Sequence, residues 1–300
     1  MSIFKEYVKP KRIDEAVELL STSPGETAIM AGGTDLLIDI RQGRHPEVDL
    51  LIDVSEIEEM TRVTVEDDHI FLGAAVTHKQ IASTPLLQEH ARCLVESCGM
   101  VGGPQIRNVA TIGGNVAHAL PAGEGTVALL TLDTDIQLAS PGGTRWLALI
   151  DIFAGPGEVT YDREKNLITG FRFATIGEGE ASAFQRVMRP QGVAIAILNM
   201  AVWVKMEGEA KVLDIRIAPG PAGPRPFRAH ETEAYLKGKV LNAEHFSQAC
   251  DILADEVSLR TSAHRATKEY RHKLLPVLFR GALEKAVSRS INRDFQLKGV

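Results

Sequence analysis

Two separated double glycines, each embedded in small and apolar residues, constrain this chain more than any other feature. The first lies in Ile29-Met30-Ala31-Gly32-Gly33-Thr34-Asp35-Leu36, where a buried-strand pattern runs directly into the glycines. The second lies in Asn108-Val109-Ala110-Thr111-Ile112-Gly113-Gly114-Asn115. Without a Cβ, glycine lets the chain turn tightly and carry main-chain N–H groups close to a ligand. Successive N–H groups in such a turn form a concave anion site, suited to a phosphate or pyrophosphate. Thr34 and Thr111 offer hydroxyls beside the glycines, and Asn115 offers an amide. One glycine pair after a strand is ordinarily a turn and nothing more. Two such loops in one region point to a ligand with two linked phosphates, with the plain-turn reading still open.

Other chemistries find no foothold. Neither loop fits the dinucleotide fingerprint G-x-G-x-x-G, and no G-x-x-x-x-G-K-[S/T] occurs, which disfavours a Rossmann site or a nucleoside triphosphatase. G-x-S-x-G and H-E-x-x-H are absent too. His118, just beyond Asn115, reads as a polar loop residue. Cys93, Cys98 and Cys250 make no disulfide scaffold and no iron–sulfur ligand set, and they favour a reducing compartment. Lys and Arg total 33 against 39 Asp and Glu, so no basic footprint for nucleic acid exists. The longest apolar stretch, Val193 to Val204, is interrupted by Asn199 and falls short of the ~20 residues that cross a bilayer. The charged first ten residues do not resemble a signal peptide. The expectation is a soluble cytoplasmic protein without membrane insertion.

A length of 300 residues suggests two domains at ~150 residues each. Helical spacing is read at 12–21, over most of Lys79–Cys98, and at Val127–Leu132. Strands are read at 27–30, 49–54, 69–76, 135–139 and 144–149. Past Asp162, the runs Leu167–Phe173, Ala183–Met188, Val193–Lys205 and Lys211–Ala218 suggest a four-stranded antiparallel meander. Helices follow at Glu244–Val257 and Ala266–Ser288, the second with Pro276 as an expected kink or break. Strands followed by helices make an α+β class. A boundary in Ile176-Gly-Glu-Gly-Glu180 divides the chain into 1–177 and 178–300. The basic stretch Arg265–Arg280 reads as a solvent-facing helix, with a subunit contact as the alternative.

The pair Ala31-Gly-Gly-Thr-Asp-Leu-Leu37 and Arg107-Asn-Val-Ala-Thr-Ile-Gly-Gly-Asn115 resembles the FAD-binding subunit of the molybdenum hydroxylases, the family of xanthine dehydrogenase and carbon monoxide dehydrogenase. The likeness extends through Glu15-Ala-Val-Glu-Leu-Leu20, Leu129-Leu-Thr-Leu-Asp133 and Leu167-Ile-Thr169 into the C-terminal region. It implies a two-subdomain FAD-binding domain of the vanillyl-alcohol-oxidase type followed by a smaller α+β domain. Under the resemblance, Ile29 to Leu36 and Thr111 to Asn115 (Thr111, Ile112, Gly113, Gly114, Asn115) are the loops that grip the FAD pyrophosphate. Val101 falls where an apolar or aromatic residue lies near the cofactor, Ile168 lies near the flavin, and Val193 faces the isoalloxazine ring. Three positions depart from the pattern. Glu124 stands where Asp is common, Gln185 replaces a frequent Lys, and Arg189-Pro-Gln-Gly192 replaces Arg-Arg-x-x-Asp.

The resemblance further implies a non-covalently bound FAD and no catalytic acid or base in this chain. The molybdenum cofactor would sit on a large partner subunit and [2Fe-2S] clusters on a small one. Electrons would pass through the clusters to this FAD and leave for NAD or another acceptor. Two other classes stay open: a self-sufficient flavin oxidase or dehydrogenase, and a phosphate-ligand binding protein that has lost its flavin.

Overall fold

The computed structural model describes residues 3–189 and 195–297. They form two compact units, each discontinuous in sequence. The first comprises the chain up to Ile81, Gly103–Ala119 and Asp133–Ala174; the second comprises Ala82–Gly102, Leu120–Leu132 and the chain from Thr175 onward. The chain last passes from one unit to the other between Ala174 and Thr175. Two earlier segments nevertheless pack with the C-terminal unit.

The first unit holds a parallel three-stranded sheet of β1 (Phe4–Val8), β2 (Thr27–Met30) and β3 (Val48–Asp53), with β3 central. Leu51 and Ile52 are fully buried, and the register Ile29↔Ile52 and Met30↔Asp53 sets the last residues of β2 against the core strand. The helix Ile13–Thr22 buries Ala16, Val17 and Leu20 on one face, each large apolar side chain contributing ~1.5–3 kcal/mol. A five-stranded antiparallel sheet adds β4 (Val63–Glu66), β5 (His69–Gly73), β6 (Asp135–Ser140), β7 (Gly143–Ala148) and, beyond the small hairpin of β8 (Phe153–Gly155) and β9 (Glu158–Val159), β10 (Leu167–Ala174). Its order is β4-β5-β10-β6-β7.

That order corrects the expected four-stranded meander. β10 pairs with β5 from Gly170↔Gly73 to Ala174↔His69 and with β6 from Leu167↔Ala139 to Arg172↔Asp135. Its run of buried residues is that of a central strand, and its partners are remote in sequence, so neighbouring strand signals misled. The long helix expected over Lys79–Cys98 is instead three short ones, His78–Ser83, Pro85–His90 and Arg92–Met100. Thr84, before Pro85, is extended at φ −78° and ψ 117°, as the proline ring demands of its predecessor.

The second unit carries an antiparallel sheet of β11 (Glu180–Val187), β12 (Leu198–Glu207) and β13 (Lys211–Gly220), with β12 central. Its core joins Met200, Val202, Val204, Ile215 and Ile217 to Leu275, Phe279, Ala282, Leu283, Ala286 and Val287 of the helix Lys268–Ser290. Phe279 stacks on Phe246 of the helix Ala243–Glu256 at 5.3 Å between ring centroids. The helix Lys268–Ser290 runs on through Pro276, so of the expected kink or break the break does not occur. An internal proline costs ~3 kcal/mol, less than the burial of this many side chains on one face returns. The whole is α+β, as the order of elements suggested.

Candidate functional site: paired glycine loops

β2 delivers the chain into Ala31-Gly32-Gly33-Thr34-Asp35. Gly33 lies in the left-handed region at φ +66°, and a Cβ there would stand 2.9 Å from Met30 Sδ and 3.1 Å from Leu37 Cδ1. The short helix Leu36–Arg41 then begins, with the N–H of Leu37 donating to Gly33 O at 3.1 Å and that of Asp39 to Asp35 O at 2.9 Å. The N–H groups of Gly32, Gly33, Thr34 and Asp35 donate to no acceptor among the described residues. The loop is mostly half-exposed, leaving these donors within reach of solvent or a ligand.

The second loop is locked against the first. A Cβ on Gly32 would meet Val109 O at 2.1 Å and Ala110 Cα at 2.7 Å, so only glycine permits this approach. Thr111 follows immediately and caps the helix Ile112–Ala117, its Oγ1 accepting from Gly114 N–H at 3.1 Å. The segment after β5 supplies the floor. Gly113 N–H donates to Ala74 O at 2.8 Å, Ile112 N–H to Val76 O at 3.1 Å, and His78 N–H to Ala110 O at 3.0 Å. Gly113 also has no room for a side chain, since its Cβ would lie 2.6 Å from Ala74 O. Ala74 N–H in turn donates to Thr169 O at 3.0 Å, which brings β10 and the buried Ile168 into the same cluster. Arg163 Nη2 donates to Ala117 O at 2.8 Å and Gly157 O at 3.0 Å, fixing the far end of the helix.

The unit thus brings together Ile29–Leu36, Thr111–Asn115 and Ile168. His78 beside them is buried, and burial, with Arg107 adding to it, pushes its imidazole down to about 4. Near neutral pH it is therefore uncharged. Val101, Glu124 and Gln185 belong to the second unit. Val101 terminates the helix Arg92–Met100, and Gln185 is half-buried on β11 opposite Met200. Glu124 opens the helix Glu124–Thr131 and forms a buried ion pair with Arg186 Nη1 at 2.8 Å. Val193 lies outside the described residues.

Sequence reasoning missed Ala74, Val76, Arg163 and Arg186. The run Gly73-Ala74-Ala75 after an apolar strand was a usable sign of close backbone packing. Nothing local marked Arg186 as the partner of Glu124. Cys93 and Cys98 are buried, and burial raises both thiols, that of Cys93 to about 12, so neither is a reactive thiolate near neutral pH.

The chain is similar to known flavoproteins along most of its length. The family model of the FAD binding domain in molybdopterin dehydrogenase matches residues 2–173, and that of the CO dehydrogenase flavoprotein C-terminal domain matches residues 182–286. The nicotinate dehydrogenase FAD-subunit of Eubacterium barkeri is 33% identical over 255 residues, covering 84% of this chain and 86% of the relative. A putative xanthine dehydrogenase FAD-binding subunit of Escherichia coli K12 is 27% identical over 288 residues, covering 95% and 97%. Among solved structures, carbon monoxide dehydrogenase from Hydrogenophaga pseudoflava, in a form lacking the Mo-pyranopterin moiety of its molybdenum cofactor, superposes with a TM-score of 0.89 at 26% identity, covering 95% of this chain and 97% of that one. The first model spans more than half of the sequence and both glycine loops lie within it, so this chain belongs to the family of flavoproteins built on the FAD-binding domain of molybdopterin dehydrogenases.

Proposed function

We propose that this chain is the FAD-carrying electron-transfer subunit of a cytoplasmic, multi-subunit molybdenum hydroxylase. Its partners in this reading are a large molybdenum-cofactor subunit and a small [2Fe-2S] subunit, with NAD or another carrier as the acceptor. The observation that carries the reading is the row of undirected N–H groups at Gly32–Asp35, pinned by Gly32 against Val109 and Ala110, the end of the short helix Pro104–Val109 that leads into Thr111–Asn115. Convergent main-chain donors with no acceptor of their own fit a pyrophosphate, which brings several anionic oxygens to one place. Relatives described as medium subunits or chains, such as those of nicotine 6-hydroxylase and carbon monoxide dehydrogenase, support the multi-subunit reading.

In this assignment the N–H groups of Gly32 to Asp35 and the residues Thr111 to Asn115 hold the two phosphates, and Ile29, Met30, Ala31 and Leu36 shape the wall beside them. Ile168 contributes an apolar surface near the ring system, and Val101, Glu124, Gln185 and Val193 complete the cofactor-binding set. The proposed division is 1–177 for FAD binding and 178–300 for the C-terminal domain. When bound, FAD supplies the redox chemistry; the protein supplies binding, orientation and electrostatics. His78 stays uncharged near neutral pH and contributes no positive charge to phosphate binding, which falls to the main-chain donors.

The purified chain is expected to carry FAD that acid precipitation releases into the supernatant, with the mass of FAD rather than FMN. Co-expression with its two partner chains is expected to yield one complex. NADH bleaching of the isolated flavin identifies NAD as the acceptor, and an unbleached flavin identifies another carrier. Sustained turnover of a purine, aldehyde or aromatic heterocycle by this chain alone, free of molybdenum and iron, would refute the subunit reading in favour of a self-sufficient oxidase.

A further inference from the structure

The stretch Arg260-Thr-Ser-Ala-His-Arg-Ala-Thr-Lys-Glu-Tyr-Arg-His-Lys273 is basic, with Arg260, Arg265, Lys268, Arg271 and Lys273 against Glu269. Its composition suggests a solvated helix, yet Arg271 is only 2% exposed. Its Nε has no hydrogen-bond partner, and its guanidinium pairs with no carboxylate among the described residues. Three other arginines of the same unit have acid partners: Arg186 has Glu124, Arg228 has Glu233, and Arg289 has Glu96 and also Ser182 O.

The local fold adds cations instead of an anion. Ser262 N–H donates to Ala266 O at 2.9 Å and Lys268 N–H to Thr261 Oγ1 at 3.0 Å, folding 261–268 back onto the start of the helix Lys268–Ser290. Arg189 approaches the carbonyl of Arg265 with Nε at 3.4 Å and Nη2 at 3.3 Å. Burial and the charges of Arg265 and Arg260 press the Arg271 guanidinium below the ordinary arginine range. Arg265 is lowered by burial and by Arg260, and the one acid acting on it, Glu124, is already paired with Arg186. The positive end of a long helix points the same way. A buried cation without a counter-charge is strongly disfavoured, and cations beside it deepen the penalty. Arg265 is half-buried and Arg260 exposed, so the cluster opens to solvent.

We propose that Arg260, Arg265 and Arg271 form a binding site for the phosphate group of a small anion, a second oxyanion site carried by the C-terminal unit. Several guanidinium forks match a dianion with three terminal oxygens better than a single carboxylate, which brings one charge and two oxygens.

The test uses the full chain loaded with FAD, melted in a phosphate-free buffer with increasing inorganic phosphate and, in parallel, sodium chloride at matched ionic strength. Phosphate is expected to raise Tm with the logarithm of its concentration above Kd, by about 5–10 °C once it reaches ~100-fold its Kd. Arg271→Met is expected to lose that rise and, relieved of an unpaired buried cation, to melt above wild type when phosphate is absent. Arg260→Gln, an exposed change, is expected to weaken phosphate binding about tenfold or more; it decides the question alone if Arg271→Met does not fold. An equal rise with chloride, an unchanged rise in Arg260→Gln, no phosphate-specific rise in wild type, or release of FAD by phosphate would each overturn the proposal.

Discussion

The two units treat their polar groups in opposite ways. In the C-terminal unit three buried or half-buried acids are enclosed by donors. Glu96 receives Arg289, Lys285 and the Phe184 N–H; Glu233 receives Arg228 and the Ile217 N–H; Glu256 receives the N–H groups of Glu231 and Thr232. These networks surround a continuous apolar core. In the first unit the decisive donors are left open, and the helix beside them, Leu36–Arg41, buries no residue. Side-chain packing holds the one, while main-chain contact at glycine holds the loops of the other. Stability and ligand capture therefore respond to different substitutions.

The largest expected effect comes from opening an enclosed charge. Glu124→Leu leaves Arg186 buried and unpaired, and is expected to cost ~3–5 kcal/mol in urea denaturation of the flavin-free chain. Adding Arg186→Met should recover most of that loss, because an apolar pair of similar volume carries no desolvation cost. Simple additivity of the two single losses would show that the ion pair is not what holds this part of the unit. Next comes Gly32→Ala. Its Cβ would sit 2.1 Å from Val109 O, a main-chain atom that cannot swing aside, so a loss of ~3 kcal/mol is expected, together with the flavin. Unchanged stability would mean that the loops do not abut in solution.

These cases show what the sequence discloses and what it hides. The glycine pairs were legible because Gly-Gly after a strand is a local signal, and the order of strands and helices disclosed the α+β class. The inequality among the glycines was not legible. In the sequence Gly32, Gly33, Gly113 and Gly114 look alike, yet Gly32 and Gly113 face main-chain atoms, Gly33 needs a positive φ, and Gly114 meets only Thr111 Oγ1 at 3.2 Å. Those differences depend on which chain lies opposite, and Val109 is far from Gly32 in sequence. The same holds for β10, whose partners are remote, and for Glu124 and Arg186, 62 residues apart. Arg271 looked solvated because charge patterning reports residue type and not the fold of the preceding loop.

A smaller effect concerns acidity, and it sharpens the contrast because the open unit carries a buried titratable group. The unfolded chain takes up a proton on His78 near pH 6.5, whereas the folded chain does so only near 4. Between those values the unfolded state binds more protons, so stability falls as pH is lowered through the window. About 1 kcal/mol should be gone by pH 5.5, with further loss toward pH 4. His78→Gln should flatten this part of the stability–pH curve. An identical slope in the variant would assign the acid sensitivity to the carboxylates of the C-terminal unit.

The smallest expected change in stability belongs to Gly114→Ala, and it separates folding from binding most cleanly. Gly114 is exposed, lies within the helix Ile112–Ala117 and has no positive φ. Alanine is favoured over glycine in a helix interior by ~1 kcal/mol, and its Cβ asks only that Thr111 Oγ1 shift slightly. The flavin-free chain should therefore melt within about 1 kcal/mol of wild type, in either direction. Flavin affinity is a separate matter. The N–H groups of Ile112, Gly113, Gly114 and Asn115 are already directed within the chain, so if the exposed face of this helix start lies against the FAD phosphates, a methyl group there holds the ligand off the Thr111 hydroxyl or the Asn115 amide. Replacing one charge-assisted hydrogen bond by a gap costs ~1.5–3 kcal/mol, so affinity should drop about tenfold or more by equilibrium dialysis. Gly32→Ala loses flavin because the loops no longer fit together, whereas Gly114→Ala should lose it from an intact unit. Full flavin affinity in a stable Gly114→Ala chain would move the phosphates away from this helix and leave the Gly32–Asp35 loop to hold them.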